Sequence, residues 1–115
     1  MKVAFTVSGD GLDSPMDSRF GRALKFLIYD LDNDTFEILD NQANVDAGQG
    51  AGLKAAEMVA RAGAGSLVTG WCGPKAVKAL AAAKIAIYNT TLATAADALR
   101  AFREGKIALQ DPAGE

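Results

Sequence analysis

The stretch 66–88, SLVTGWCGPKAVKALAAAKIAIY, contains two short apolar runs on either side of an amphipathic segment. Residues 66–69 and 85–88 have the composition of buried strands. Pro74 suits the first position of a helix that runs to about Ala83, with Gly73 as its cap. Strands joined through a helix lie parallel and are connected by a right-handed crossover. This stretch therefore predicts an α/β fold.

The sequence on either side extends the same pattern. Residues 2–7 predict a first strand, and the runs 24–31 and 35–40 predict a β-hairpin. Further helices are predicted from about residue 52 to Ala62, and from Thr94 to Gly105 with Asp97 placed as in a capping box. Segments 8–22 and 41–52 carry no helical or strand period. The predicted order β-β-β-α-β-α-β-α gives a mixed five-stranded sheet in one domain, 1–110, followed by a frayed tail, 111–115.

The spacing of apolar residues also predicts which side chains face the core. In the hairpin, Phe26 and Ile28 share one face, and Leu27, Tyr29 and Leu31 share the other. The predicted inner faces of the helices are Ala55, Met58, Val59 and Ala62 in the first, Val77, Leu80 and Ala81 in the second, and Ala95, Ala98, Leu99 and Phe102 in the third.

Composition excludes several classes of function. A net charge of −2 with a pI near 5.1 is atypical of a protein that coats nucleic acid. No run approaches the roughly 20 apolar residues of a membrane span, and residues 1–7 are too short for a signal sequence. The single cysteine, Cys72, fits a reducing cytoplasm, where we expect the protein to act. The chain has no histidine, which removes His-based triads and the usual zinc sites.

Three segments are candidates for binding a small anion, because loops at the carboxyl ends of parallel strands meet at one edge of a sheet. The first is the glycine run Gly48, Gly50 and Gly52 before a helix, where backbone amides and the helix dipole favour negative charge. It lacks the Gly-Lys-Ser/Thr of a phosphate-binding loop. The alternative interpretation is a flexible glycine turn.

The second candidate is the turn 70–75, which brings Gly70, Gly73 and Lys75 to the start of a helix. It also contains Cys72, whose thiolate a helix N-terminus would stabilise, and we consider it a possible metal ligand. Trp71 could form a wall of the pocket. The alternatives are that Cys72 is an inert core residue and that Trp71 fills the core, which is the more common role of each type.

The third candidate is the end of the long loop, where Arg19 and Arg22 could present forked donors to an oxyanion or thioanion. Met16 adds a soft thioether. The alternative is that both arginines are solvated charges offset by Asp13 and Asp17. The acidic residues 10, 13 and 17 could hold magnesium, but they are also ordinary turn formers, and we rank the turn role higher.

These segments carry a resemblance to a known family. The residues that carry it are Asp13-Ser14-Pro15, 19–23, Gly50-Ala51-Gly52, Gly70 and Gly73-Pro74-Lys75-Ala76. In this order, and over nearly the whole chain, the sequence resembles the dinitrogenase iron–molybdenum cofactor biosynthesis family. The resemblance implies a ribonuclease H-like fold and a carrier or storage role for a metal–sulfur cluster. The short form with Trp71-Cys72 resembles members that hold a molybdenum–copper sulfide cluster without covalent bonds. Iron–molybdenum cofactor or a precursor is the alternative ligand, although the histidine that some relatives are thought to use is missing here.

The sequence therefore predicts a pocket that grips an anionic cluster through backbone amides, Arg19, Arg22 and Lys75, and cushions it with Trp71 and Met16. We predict that it is not an enzyme. A metal-free adaptor for an ATPase or another metallocluster protein is the main alternative. A divalent-metal nuclease or phosphohydrolase is disfavoured, because the first strand carries no carboxylate. Thiol-redox chemistry is disfavoured because no second cysteine could resolve Cys72.

Overall fold

The computed structural model describes residues 1–46 and 50–110. Its elements in chain order are β1 Lys2–Val7, β2 Lys25–Asp30, β3 Thr35–Asp40, α1 Gln42–Asp46, α2 Ala51–Arg61, β4 Ala64–Thr69, α3 Pro74–Ala82, β5 Ala86–Asn89, α4 Ala95–Arg103 and β6 Ala108–Leu109. The predicted tail 111–115 and the candidate Gly48 lie outside the described residues. Within the described ranges, no helix is long and apolar enough to cross a bilayer.

The strands form one mixed sheet in the order β3-β2-β1-β4-β5-β6. Strand β1 pairs antiparallel with β2 and parallel with β4, and β4 pairs parallel with β5. The predicted mixed α/β sheet with a β-hairpin is confirmed. The predicted number of five strands is wrong, because β6 adds an antiparallel edge strand beside β5. Strand β6 has two residues, too few for any alternation of polar and apolar residues to reveal it. The ribonuclease H-like assignment remains a prediction.

Segment 41–52 is not structureless throughout, as predicted, because α1 occupies 42–46. Asn41 precedes this helix and is buried. Its side-chain amide donates to the carbonyl of Ala23 at 2.7 Å, and its Oδ1 accepts from Asn44 at 2.7 Å. A five-residue helix is too short to show a helical period in the sequence. Asn41 thereby joins the start of α1 to the chain at Ala23.

The core lies on both faces of the sheet. On the α2 and α3 side, Phe26 and Ile28 pack with Val59 and Leu80. On the α4 side, the cluster contains Leu27, Tyr29, Phe5 and Leu99, with Leu31 packed against it. The predicted division of the hairpin into two faces is therefore confirmed. Because β1 is central and covered on both faces, its residues 3–7 are fully buried and all but one of them are apolar.

The predicted helix boundaries also agree with the structure. Pro74 begins α3, and the hydroxyl of Thr94 accepts the amide of Asp97 at 3.2 Å to cap α4. Gly105 follows α4 with a φ of +71°, a conformation that favours glycine. One predicted inward residue is wrong: Ala81 is exposed, and Ala76 is buried instead. The face of α3 that meets the sheet is centred on Ala76 and Leu80, which puts Ala81 beyond its margin.

Candidate functional site

The long loop after β1 folds back across the carboxyl end of the sheet. The amide of Ser8 donates to the carbonyl of Pro15 at 3.1 Å, which closes the loop at its base. The amide of Asp17 then donates to the carbonyl of Thr6 at 2.8 Å, and the amide of Met16 donates to Ala93 at 2.9 Å. These bonds hold residues 16–19 over the ends of the strands. The absence of periodicity in this loop reflects a compact path rather than a lack of order.

Two buried threonines tie this loop to the strands beneath it. The hydroxyl of Thr6 lies 2.8 Å from the carbonyl of Asp17 and 2.9 Å from the hydroxyl of Thr69. Asp17 can only accept through its carbonyl, so Thr6 donates to it and Thr69 donates to Thr6. The ends of β1 and β4 and the loop therefore form one hydrogen-bonded unit.

Two pairs of backbone segments approach closely at a glycine, and at Gly70 the contact leaves no space for a Cβ atom. A Cβ atom on Gly70 would lie 2.4 Å from the carbonyl oxygen of Ser18. A Cβ atom on Gly21 would lie 3.0 Å from the backbone of Gly52. Glycine at 70 and 21 thus brings the three candidate segments together. Of the glycines singled out in the sequence, Gly52 and Gly70 therefore lie at contacts between loops.

A depression of about 520 Å³ opens where the second and third of these segments meet. We call it the edge pocket, and it is lined by Met16, Asp17, Ser18, Arg19, Gly70, Trp71, Thr90, Thr91 and Leu92. The side chain of Trp71 is 44% exposed and that of Leu92 is 40% exposed, so apolar surface faces solvent here. Core filling, the more common role of tryptophan, does not apply to Trp71. Phe20, next to Arg19, is buried in the core instead.

Thr90, Thr91 and Leu92 were missed in the sequence. They follow β5, a parallel strand whose carboxyl end lies at the same edge as those of β1 and β4. The signal that could have found them is topological, because loops after neighbouring parallel strands share an edge. Their composition carries no ligand-binding motif, since two threonines and a leucine occur in many loops.

The charge of the edge pocket is close to balanced. Its charged side chains are those of Asp17 and Arg19, and Oδ1 of Asp17 accepts the backbone amide of Arg19 at 3.0 Å. The predicted partner Arg22 is not among the lining residues. Its guanidinium instead donates to the carbonyl of Val45 at 3.2 Å. The pocket therefore offers one guanidinium rather than the pair expected from the sequence.

Many backbone amides around the pocket already have acceptors within the protein. Those that donate to another protein atom belong to Met16, Asp17, Arg19, Cys72, Thr90 and Leu92. A donor engaged in this way must break its bond to reach a ligand. At these six residues, the predicted contact between backbone amides and an anion would require an existing hydrogen bond to break. Met16, Trp71 and Leu92 add apolar surface to the pocket.

Cys72 lies in the core rather than in the edge pocket. Its side chain is 1% exposed and packs in the cluster with Phe20 and Leu80. Burial raises the pKa of the Cys72 thiol to about 12. The expected stabilisation of a thiolate by the helix N-terminus is therefore wrong, because desolvation is the larger effect. To ligate a metal, this thiol would have to leave the core.

Three further candidates, Gly52, Gly73 and Lys75, lie at a second depression of about 440 Å³. It is lined by Gly21, Gly52, Gly73, Pro74, Lys75 and Ala76. Lys75 therefore lies in a different depression from Arg19 and Trp71. Gly50 adopts a φ of +79° at the start of α2, which explains the glycine there by backbone conformation. The structure thus divides the predicted single pocket into two.

The sequence pattern of the family described as dinitrogenase iron-molybdenum cofactor matches residues 1–105. The chain belongs to this family. The resemblance noted in the sequence is therefore confirmed. No curated protein matches this chain.

Solved structures resemble this family member closely. The apo form of the orange protein from Desulfovibrio gigas has a TM-score of 0.91 and 39% identity, over 95% of this chain and 92% of that one. A protein from Thermotoga that carries the name NifB has a TM-score of 0.84 and 30% identity, over 94% and 91%. A protein from Methanocaldococcus jannaschii named as a dinitrogenase shares the fold, with a TM-score of 0.74, 17% identity, and 96% and 95% coverage.

Proposed function

We propose that this protein is a non-covalent binding or carrier protein for a sulfide-bridged molybdenum–copper cluster, and that the edge pocket is its site. Membership of the dinitrogenase iron-molybdenum cofactor family supports a metallocluster-binding role. Similarity to the orange protein supports the same conclusion. The observation that carries the proposal is the meeting of Met16, Arg19, Trp71 and Leu92 around one open depression.

The chemistry of these side chains suits such a cluster. Sulfide edges are soft and polarisable, as are the thioether of Met16 and the indole of Trp71. The guanidinium of Arg19 supplies a fixed positive charge and planar donors for an anion. The hydrogen bond from the Arg19 amide to Oδ1 of Asp17 at 3.0 Å offsets part of the negative charge of that carboxylate. Dispersion and one charge thus replace the coordinate bonds of a conventional metal site.

The proposed cargo is bound without a protein ligand to the metal. Within the described residues, no group of three or more acidic, histidine or cysteine side chains is placed to hold a metal ion. The buried thiol of Cys72 is protonated over the ordinary pH range, since its pKa is about 12. An iron–molybdenum cofactor or precursor is the alternative cargo for the same pocket. We propose binding rather than catalysis as the activity.

Reconstitution tests this function. Purified protein is incubated with tetrathiomolybdate and copper(I), desalted, and analysed for both metals and for its visible spectrum. We expect molybdenum and copper to be retained in a fixed ratio, with quenching of the fluorescence of Trp71, the only tryptophan. Trp71→Ala and Leu92→Ala are expected to lose metal. Phe36→Ala is the matched control, because Phe36 is similarly exposed but lies on β3, the opposite edge strand.

An adaptor that never carries metal is the second candidate. The observation that favours it is the exposure of Trp71 and Leu92, because exposed aromatic and aliphatic groups also suit a protein contact. Protein that stays colourless and retains neither metal after reconstitution would favour this function. Metal analysis of protein purified from its native source distinguishes the two proposed cargoes. Molybdenum with copper would indicate the molybdenum–copper cluster, and molybdenum with iron would indicate iron–molybdenum cofactor or a precursor.

A further inference from the structure

Gln110, which directly follows β6, makes an unusual set of contacts with the turn that carries Trp71. Its side chain is almost fully buried, with 8% of the residue exposed. Its Oε1 accepts from the amide of Cys72 at 3.1 Å, and its Nε2 donates to the carbonyl of Cys72 at 3.0 Å. The same Oε1 accepts from the side-chain amide of Asn89 at 2.8 Å. One side chain therefore satisfies both backbone polar groups of Cys72.

The backbone of Gln110 is held as firmly as its side chain. Its amide donates to the carbonyl of Ile87 at 2.8 Å, which continues the pairing of β6 with β5. On the other side of the turn, the carbonyl of Trp71 accepts from the amide of Phe20 at 3.1 Å. The Trp71-Cys72 segment is thus clamped between the long loop and Gln110. This clamp coincides with the point where the chain turns Trp71 outward and Cys72 inward.

We propose that Gln110 is a positioning residue for the edge pocket. It fixes the backbone at Cys72, so that the indole of Trp71 stays on the pocket wall and the thiol stays in the core. The two bonds to Cys72 need one acceptor and one donor in a fixed geometry, which a primary amide provides. A carboxylate of the same length could accept from the Cys72 amide but would face its carbonyl without a proton to donate. The role in cluster retention rests on the proposed function, whereas the role in placing Trp71 does not.

The clamp can be tested without any cluster, because the chain has one tryptophan and one cysteine. We expect Gln110→Met, which keeps the length but loses the bonds, to shift the emission maximum of Trp71 and to raise the rate of Cys72 modification by Ellman's reagent at least tenfold. Gln110→Glu should give a change in the same direction. Gln42→Met is the control, because the side chain of Gln42 is exposed and donates a hydrogen bond to Asp46 within the same short helix. It should leave both signals unchanged.

A further control separates positioning from general stability. Leu99→Ala removes a buried side chain from the α4 side of the sheet, away from the cluster that contains Cys72. It should lower the melting temperature without moving the emission of Trp71 in the folded protein. If Gln110→Met folds and leaves the emission and the thiol reactivity at wild-type values, the proposal is wrong.

Hydrogen exchange provides a test that needs no variant. The amide of Cys72 is buried and bonded to Gln110, so its exchange in the wild-type protein should be as slow as that of the central strands. Exchange at the rate of an exposed loop would overturn the proposal even if the Gln110 variants fail to fold. Tetrathiomolybdate and copper(I) retention is measured in parallel. If the wild-type protein binds no metal but Gln110→Met still shifts the emission maximum of Trp71, the proposed function is wrong and the positioning role of Gln110 is supported.

Discussion

Gly70 packs directly against the backbone of Ser18, and the contact leaves no space for a side chain. A Cβ atom at position 70 would lie 2.4 Å from the carbonyl oxygen and 2.6 Å from the Cα of Ser18. Next to this contact, Arg19 and Trp71 form a parallel bridge between the two segments. The edge pocket therefore depends on a backbone contact as much as on the side chains that line it.

Gly70→Ala should consequently destabilise the protein and open the pocket. The methyl group would force the two backbones apart, with an expected loss of about 3 kcal/mol in the free energy of unfolding. Gly65→Ala is the control, because a Cβ at exposed Gly65 in β4 meets no atom within 4 Å. Chemical denaturation measures both. Equal stability of the two variants would contradict the close contact.

The buried pair Thr6 and Thr69 gives a second prediction. Thr6→Val keeps the shape of the side chain but removes the donor to the carbonyl of Asp17, which lies 2.8 Å away. We expect a loss of about 1–2 kcal/mol, because the carbonyl and the hydroxyl of Thr69 each lose a partner. Thr35→Val, at the exposed start of β3, should change stability little. A loss as small as that of Thr35→Val would mean that the two hydrogen bonds of Thr6 contribute no net stability, contrary to the prediction.

The sequence predicts those parts of the fold whose signals are local. Alternation in 26–31 assigns the two hairpin faces, and Pro74 and Thr94 mark the starts of α3 and α4. Short elements such as β6 leave no such signal. The site is less predictable, because Gln110 and Cys72 meet only in the folded chain. Two residues that the sequence suggested as ligand contacts have local structural explanations. Gly50 has a positive φ at the start of α2, and the guanidinium of Arg22 donates to the carbonyl of Val45.

The raised pKa of Cys72 predicts how stability depends on pH. The thiol has an ordinary pKa of 9.0 in the unfolded chain and a pKa of about 12 in the fold, where burial disfavours the thiolate. At pH below 9 both states keep the proton, so the group adds no pH dependence. At a pH between the two pKa values, only the unfolded chain loses the thiol proton. The free energy of unfolding should therefore fall as pH rises, by about 1.4 kcal/mol per pH unit at most.

Cys72→Ala is the comparison for this pH dependence. The difference in unfolding free energy between wild type and Cys72→Ala, measured by urea denaturation from pH 8 to 11, should stay constant to about pH 9. It should then shrink or reverse in favour of the variant. Parallel curves over the whole range would mean that the thiol is accessible to water in the folded state.

The two arginines that look equivalent in the sequence should behave differently towards the cluster. Arg19 lines the edge pocket, whereas the guanidinium of Arg22 donates to Val45 at 3.2 Å. Arg19→Gln should weaken retention of the reconstituted cluster roughly tenfold, the effect of about 1.4 kcal/mol expected for one charge-assisted contact. Arg22→Gln removes the same charge from the protein and should change retention less than about twofold, so it controls for net charge.

Titration at two salt concentrations measures cluster retention in both variants, with the larger salt dependence expected for the protein that keeps Arg19. Equal losses in the two variants would mean that the cluster responds to the overall charge of the protein, and the edge pocket would then not be its site.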